Sequence, residues 1–307
     1  MAIWIPGAAG FVGRALMARL QADGQSVEPV SRRARTVSGL PARRISALGS
    51  HLSAGDVVVY CAGRAHVQEK PGEASRAAFH RANCDEPLAA ARLASARCAR
   101  RFVFVSSIKV NGERTTGIPF SERDTPQPED DYGRSKWEGE QALWQHARQT
   151  GMELVIVRPP LVYGPGVRAN FAAMMRALKR GVPLPLASIR NQRSLVYLEN
   201  LVDFLALCCT DPAAANETFL VSDGRDLPTP ELLRLMGEAQ GQPARLWPFP
   251  VPLLKFGAGV LGRRGMAERL CDSLQVSDDK ARNRLVWRPP FSVEEGLRRT
   301  ASQFGEL

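Results

Sequence analysis

The chain has no unbroken apolar run long enough to cross a bilayer. Its apolar stretch from Leu246 to Leu261 is interrupted by Pro248, Pro250, Pro252 and Lys255, whereas a span needs about 20 apolar residues. A membrane span is excluded there, and a buried or lid-like helix is expected instead. Paired cysteines are missing too. Cys61, Cys84, Cys98, Cys208, Cys209 and Cys271 show no Cys-x-x-Cys spacing and no partnering histidines. A zinc site or disulfide framework is therefore not expected, no metal is expected, and the thiols suit a reducing cytoplasm. No Lys-rich tail and no aromatic interleaving accompany the basic residues, so nucleic acid is not the expected partner despite a formal charge of +10. Internal repeats and low-complexity segments are absent. The first strand-like run, Ile3-Trp4-Ile5, begins at once, so a secretory leader is not expected.

What is present suits one large α/β domain, or a nucleotide domain with a smaller partner, in 307 residues. The excess charge is carried more by arginine than by lysine and is scattered, which favours a small anionic ligand. Residues 3–24 read strand, tight turn, helix, with Gly7-Ala8-Ala9-Gly10-Phe11-Val12-Gly13 as the turn. Glycines at the start of a helix expose backbone N–H groups and the positive dipole end, an anion site. A second strand falls near Val27 to Val30. Ser31-Arg32-Arg33 follows it, about 20 residues beyond the glycine turn, where an acid would bind the ribose of NAD or an arginine the 2′-phosphate of NADP. No acid stands there, so NADP is expected, with NAD the alternative.

Asp56-Val57-Val58-Val59-Tyr60-Cys61 and Arg101-Phe102-Val103-Phe104-Val105 read as strands buried on both faces. They end in Ala62-Gly63 and Ser106-Ser107, small residues that suit a ligand crevice. A helix from Ser75 to Ala99 carries Asn83. Glu153 to Arg158 is a further strand, followed by Pro159-Pro160-Leu161-Val162-Tyr163-Gly164-Pro165-Gly166. Alternating strands and helices through residue 162 predict a Rossmann-like, doubly wound parallel sheet. A smaller substrate-binding region is expected over 163–307, with Arg193 to Leu198 a strand returning towards the sheet, a helix from Glu199 to Cys208, and a terminal helix near Ser292.

Tyr132-Gly133-Arg134-Ser135-Lys136 places a phenol and an ammonium four residues apart, on one helix face. A free tyrosine titrates near ~10; a neighbouring ammonium favours the phenolate and makes the group usable in proton transfer. Together with the glycine turn, Ser107 and the run Arg158 to Gly166, this resembles the extended short-chain dehydrogenase/reductases, in their nucleotide-sugar epimerase/dehydratase branch. The resemblance covers essentially the whole chain and is specific for fold and cofactor class, not for substrate.

The resemblance implies a catalytic set of Ser107, Tyr132 and Lys136. Ser107 would hydrogen-bond the reacting oxygen, Tyr132 exchange the proton, and Lys136 hold the nicotinamide ribose. Gly7, Gly10, Phe11, Val12 and Gly13 would cradle the pyrophosphate, with Ser31, Arg32, Arg33, Ala62, Gly63, Asn83 and Pro159 completing the cofactor site. Lys109, Asn170 and Arg193 would meet a nucleotide sugar, UDP-linked by preference. A homodimer through the helices flanking Tyr132 is also implied. Ile108 and Lys109 follow Ser107 where sugar dehydratases of the family carry Asp-Glu, so water elimination is not expected. Two enzymatic readings stay open. A 4-ketoreductase in surface-polysaccharide synthesis is favoured by the missing ribose-binding acid; a UDP-sugar 4-epimerase with tightly held NAD shares the same trio. A non-catalytic dinucleotide sensor would leave the intact trio unexplained.

Overall fold

The computed structural model describes residues 1–32, 35–65, 72–262 and 264–304. β1 (Ala2–Pro6) leads through the glycine turn to α1 (Phe11–Ala22) and β2 (Ser26–Val30). A small hairpin, β3 (Thr36–Val37) and β4 (Leu40–Pro41), and the short helix α2 (Leu48–His51) precede β5 (Val57–Tyr60). Next come α3 (Glu73–His80) and α4 (Glu86–Ser95), joined without a break by a π turn over Arg81–Asp85. β6 (Arg101–Val105), α5 (Asp131–Thr150), β7 (Glu153–Arg158), β8 (Leu161–Tyr163) and α6 (Ala169–Lys179) follow. Then come β9 (Leu195–Tyr197), α7 (Leu198–Thr210) and β10 (Glu217–Leu220). Helices α8 (Thr229–Ala239), α9 (Val251–Val260), α10 (Arg264–Cys271), α11 (Asp279–Arg284) and α12 (Val293–Ser302) complete the order.

The central sheet has six strands in the order β10-β7-β6-β5-β1-β2, every pair parallel. Alternation along each strand sends side chains to opposite faces. Ile3, Ile5, Val57, Val59, Val103, Val155 and Val157 pack on one side with Leu16, Leu20, Leu201 and Leu205 of α1 and α7. Trp4, Val58, Tyr60, Phe102, Phe104, Leu154 and Ile156 pack on the other with Ala90, Ala94, Leu143 and Ala147 of α4 and α5. Both faces are covered, which is why these strands read as continuous apolar runs. Asp56 pins the sheet entrance, accepting from Ala2 N at 2.7 Å, Trp4 Nε1 at 3.1 Å and Ser53 N at 3.0 Å.

Two expectations change beyond residue 158. Leu195–Tyr197 does not rejoin the main sheet; β9 pairs with β8 in a separate two-stranded parallel sheet. Pro159 and Pro160 have no N–H to extend a ladder, so the chain leaves the main sheet after Arg158. The sixth strand is β10, paired with β7 from Glu217↔Val155 to Leu220↔Arg158. A third core gathers Tyr163, Phe171, Met175, Tyr197, Leu233 and Leu297 beneath α6, α8 and α12. Within Leu246 to Leu261 a helix does form, α9 over Val251–Val260, but it contains no buried residue, so the expectation of a buried helix there is corrected. No described helix is long and apolar enough to cross a membrane.

Candidate active site

The glycine turn closes where β1, β5 and α1 meet. Gly7 has φ +91°, and a Cβ on it would lie 2.4 Å from the Ala62 nitrogen. A Cβ on Gly13 would lie 2.3 Å from the Gly7 carbonyl oxygen. Only backbone fits at this junction. Gly10 N donates to Gly7 O at 2.8 Å, and Gly10 caps α1 with no side-chain bond and no acid in the first turn. The first N–H groups of a helix lack intrahelical acceptors, so this turn presents an open anion site backed by Phe11 and Val12, which lean on the core. A dinucleotide pyrophosphate fits that cradle.

Ser107 follows the end of β6 and caps the short turn Ile108–Val110. Ile108 N donates to Pro159 O at 3.0 Å, which fixes this turn against the end of β7. Helix α5 starts at Asp130, whose Oδ1 accepts from Gly133 N at 2.7 Å. Gly133 lets the helix come close, since a Cβ there would lie 2.6 Å from the Lys109 carbonyl oxygen. Tyr132 is thereby brought next to Ser107, which moderates the rise in its pKa. Lys136, only 3 % exposed, donates from Nζ to Val105 O at 2.9 Å and sits 4.5 Å above the Phe104 ring. A Cβ on Gly63 would lie 3.2 Å from that ammonium, so Lys136 faces the loop after β5. Ser107, Tyr132 and Lys136 thus converge at the carboxyl ends of the strands, where open α/β sheets bind ligands.

The titrations differ from the expectation drawn from spacing. Burial pushes Tyr132 up to about 12, with Ser107 opposing the rise and Asp130 adding to it. Burial lowers Lys136 to about 8, opposed by Glu140 and Cys61. Burial dominates both groups and moves each towards its neutral form.

Asn83 lies in the π turn and is fully buried. Its Oδ1 accepts from Arg64 N at 3.0 Å, while Nδ2 donates to Arg64 O at 3.1 Å and to Ser135 Oγ at 3.0 Å. It positions the loop after Gly63 against α5. Ser31 is buried, and its N–H donates to Arg43 O at 2.9 Å. Arg32 is exposed and pairs with Glu86 at 3.0 Å; Arg33 lies outside the described residues. Lys109 is clamped by Asp130 at 2.6 Å and Glu113 at 2.9 Å, so in this structure it straps the start of α5. Asn170 is half-buried in the first turn of α6. Arg193 donates from Nη1 to Asp272 O at 3.0 Å, and burial holds its guanidinium below the usual arginine range.

One group of site residues was not singled out from the sequence. Glu140 is fully buried and forms a bidentate pair with Arg158, Nε lying 3.0 Å from Oε1 and 3.2 Å from Oε2. Arg158 Nη1 donates to Asn111 Oδ1 at 2.9 Å, and Ser106 Oγ donates to Glu140. The signal was the spacing of Tyr132, Lys136 and Glu140, four apart on one face of α5.

This parallel sheet with a glycine turn after its first strand is the architecture of dinucleotide-binding enzymes. The chain belongs to the NAD dependent epimerase/dehydratase family, whose model matches residues 3–222, and it is an enzyme of the extended short-chain dehydrogenase/reductase type. It is 44% identical over 252 residues to a UDP-glucose 4-epimerase of Vibrio cholerae, covering 81% of this chain and 76% of that one. Among solved structures it resembles a UDP-glucose 4-epimerase of Thermotoga maritima with UDP-glucose. The TM-score is 0.79 at 22% identity, over 100% of this chain and 99% of the other. RMD from Pseudomonas aeruginosa complexed with NADPH superposes with TM-score 0.78 at 20% identity, over 99% of each chain.

Proposed function

We propose that the protein reduces the C4 carbonyl of a UDP-linked 4-keto sugar with NADPH, in the cytoplasm, as a step in surface-polysaccharide synthesis. The observation that carries this reading is the end of β2, where Ser31-Arg32-Arg33 stands in place of a ribose-binding acid. It favours a phosphorylated, exchangeable cofactor. When bound, the nicotinamide supplies hydride to the sugar carbon. Tyr132 gives its proton to the carbonyl oxygen as negative charge develops, and Ser107 donates a second hydrogen bond to that oxygen, a contact that strengthens in the transition state. A phenol held at about 12 is protonated at neutral pH, the form that a reduction requires of its acid. Lys136 would hold the nicotinamide ribose through its ammonium. Buried Ile108 and the clamped Lys109 offer no acid for water elimination, which speaks against a dehydratase.

We assign the nucleotide diphosphate to Arg193 and to the start of α6 beside Asn170, because a helix N-terminus and a planar guanidinium both suit phosphate. The exposed side of α5 carries a shallow cleft lined by Trp137, Gln141, Trp144, Gln145 and Arg148; we assign it to a homodimer contact. The second reading, a UDP-sugar 4-epimerase, is supported by the similarity to the Vibrio cholerae enzyme. One experiment separates them. The purified protein is denatured and the released cofactor measured, and then NADPH oxidation is followed with a UDP-4-keto sugar. Turnover-dependent NADPH loss with no retained dinucleotide is expected. Stoichiometric retained NAD with interconversion of UDP-glucose and UDP-galactose would replace the reductase with the epimerase.

A further inference from the structure

The strongest surface feature lies away from the trio, on α9 and the turns that flank it. Trp247 is 45% exposed, Leu253 56%, Phe256 72%, Val260 73% and Leu261 75%. Leu253, Phe256 and Val260 recur at helical spacing and share one outward stripe, while Val251 and Leu254 turn inward onto the core beneath α6 and α8. Large apolar patches left in water mark an interaction surface. Basic groups dominate the segment, although Arg264 pairs with Glu268 at 2.9 Å and Lys255 with Asp272 at 2.6 Å. No Asp or Glu occurs between Glu238 and Glu268, whereas Arg245, Lys255, Arg263 and Arg264 all fall in that interval. Arg245, Arg264 and Arg269 are exposed around the stripe.

We propose that α9 rests on an anionic lipid surface, with Trp247, Leu253, Phe256, Val260 and Leu261 entering the boundary between headgroups and acyl chains and the arginines meeting lipid phosphates. An apolar stripe with a cationic rim is the chemistry of an interfacial helix. Basic side chains beside it gain from the negative surface potential, and their aliphatic stems let the charges stay at headgroup level. The element lies on the membrane and does not cross it, since its ten residues extend only about 15 Å. The helix is also tied to the proposed substrate side. Lys255 Nζ donates to Asp272 Oδ1 at 2.6 Å, and Arg193 donates to the carbonyl of the same residue. A protein docked through α9 would hold this part of its substrate region near the bilayer.

The test is vesicle flotation of the full chain, read without any activity assay, so it stands apart from the reductase reading. Phosphatidylcholine vesicles are compared with vesicles of phosphatidylcholine and phosphatidylglycerol. The expected result is co-flotation with the anionic vesicles, at least about tenfold weaker on neutral ones and reduced by high salt. Phe256→Ser with Val260→Ser should weaken anionic-vesicle binding at least about tenfold, because affinity scales with buried apolar area. Both side chains are exposed, so the melting temperature should not change. Arg264→Glu supplies a second variant that leaves the apolar stripe intact and should also lower binding. Absence of flotation with anionic vesicles would overturn the proposal, as would undiminished flotation of the double serine variant. A self-associated species in light scattering that the serine variant disperses, with no vesicle binding, would assign the stripe to a second copy of the chain instead.

Discussion

Tyr132 and Lys136 titrate against their burial more than against each other. The phenol rises to about 12 and the ammonium falls to about 8, each chiefly through desolvation. Tyr132→Phe keeps the ring that meets Phe79 edge-on at 6.2 Å and removes only the hydroxyl. Folding and cofactor binding should persist, while turnover falls by about 10²–10⁴-fold; steady-state kinetics and cofactor titration check both. Lys136 supplies a pH prediction with a definite sign. Its folded pKa lies below its unfolded value, so between about 8 and 10.5 the unfolded chain binds more protons and stability rises with pH. Relative to Lys136→Met, the starting protein should gain up to about 3 kcal/mol across that window, measured by urea unfolding at a series of pH values. Its ribose contact should weaken over the same rise, because the charged donor is lost. A flat difference between the two proteins would show that the ammonium is not desolvated.

Helix α5 joins the site to the sheet through a charge pair that no spacing rule completes. Glu140 follows Lys136 by one turn, so its face was legible. Its partner Arg158 ends β7, and the two meet only once α5 is packed on that strand. Glu140→Gln would leave the 4% exposed Arg158 without its carboxylate. Breaking a buried pair from one side costs about 3–5 kcal/mol; equilibrium unfolding should show a loss of that order, and catalysis should fall with it because Ser106 and Asn111 share the network. Replacing both partners by apolar residues should cost less. β5, β6 and β7 were legible because burial on both faces leaves continuous apolar runs. β10 was not, since Glu217-Thr218-Phe219-Leu220 is short and has no such run, and the Leu195–Tyr197 segment mimicked a returning strand. The clamp on Lys109 was hidden for a similar reason: Asp130 is 21 residues away in sequence and meets it only once α5 is docked.

At the scale of the whole molecule, one layer carries the glycine turn and the trio, and the region beneath α6, α8 and α12 carries Asn170 and Arg193. Two anionic ligands are proposed, and their charges would be met by arginines on separate elements. Arg32 is exposed beside Glu86, and surface pairs of that kind contribute little, so a 2′-phosphate can displace the carboxylate. Arg32→Asp should weaken NADPH by more than about tenfold while NADH holds, as expected for a charged hydrogen bond of about 1.5–3 kcal/mol. Arg193 differs in being desolvated while hydrogen-bonded to a carbonyl, a setting that a diphosphate would improve. Binding to the native state raises its stability by mass action, so UDP and NADPH should each raise the melting temperature. Arg193→Ala should remove most of the UDP shift and spare the NADPH shift, and Arg32→Asp should do the reverse. Joint loss of both shifts in either variant would mean that the change had disturbed the fold and not one site. No UDP shift in the starting protein at millimolar ligand would remove the nucleotide-sugar assignment while leaving the dinucleotide site, which rests on the glycine turn, intact.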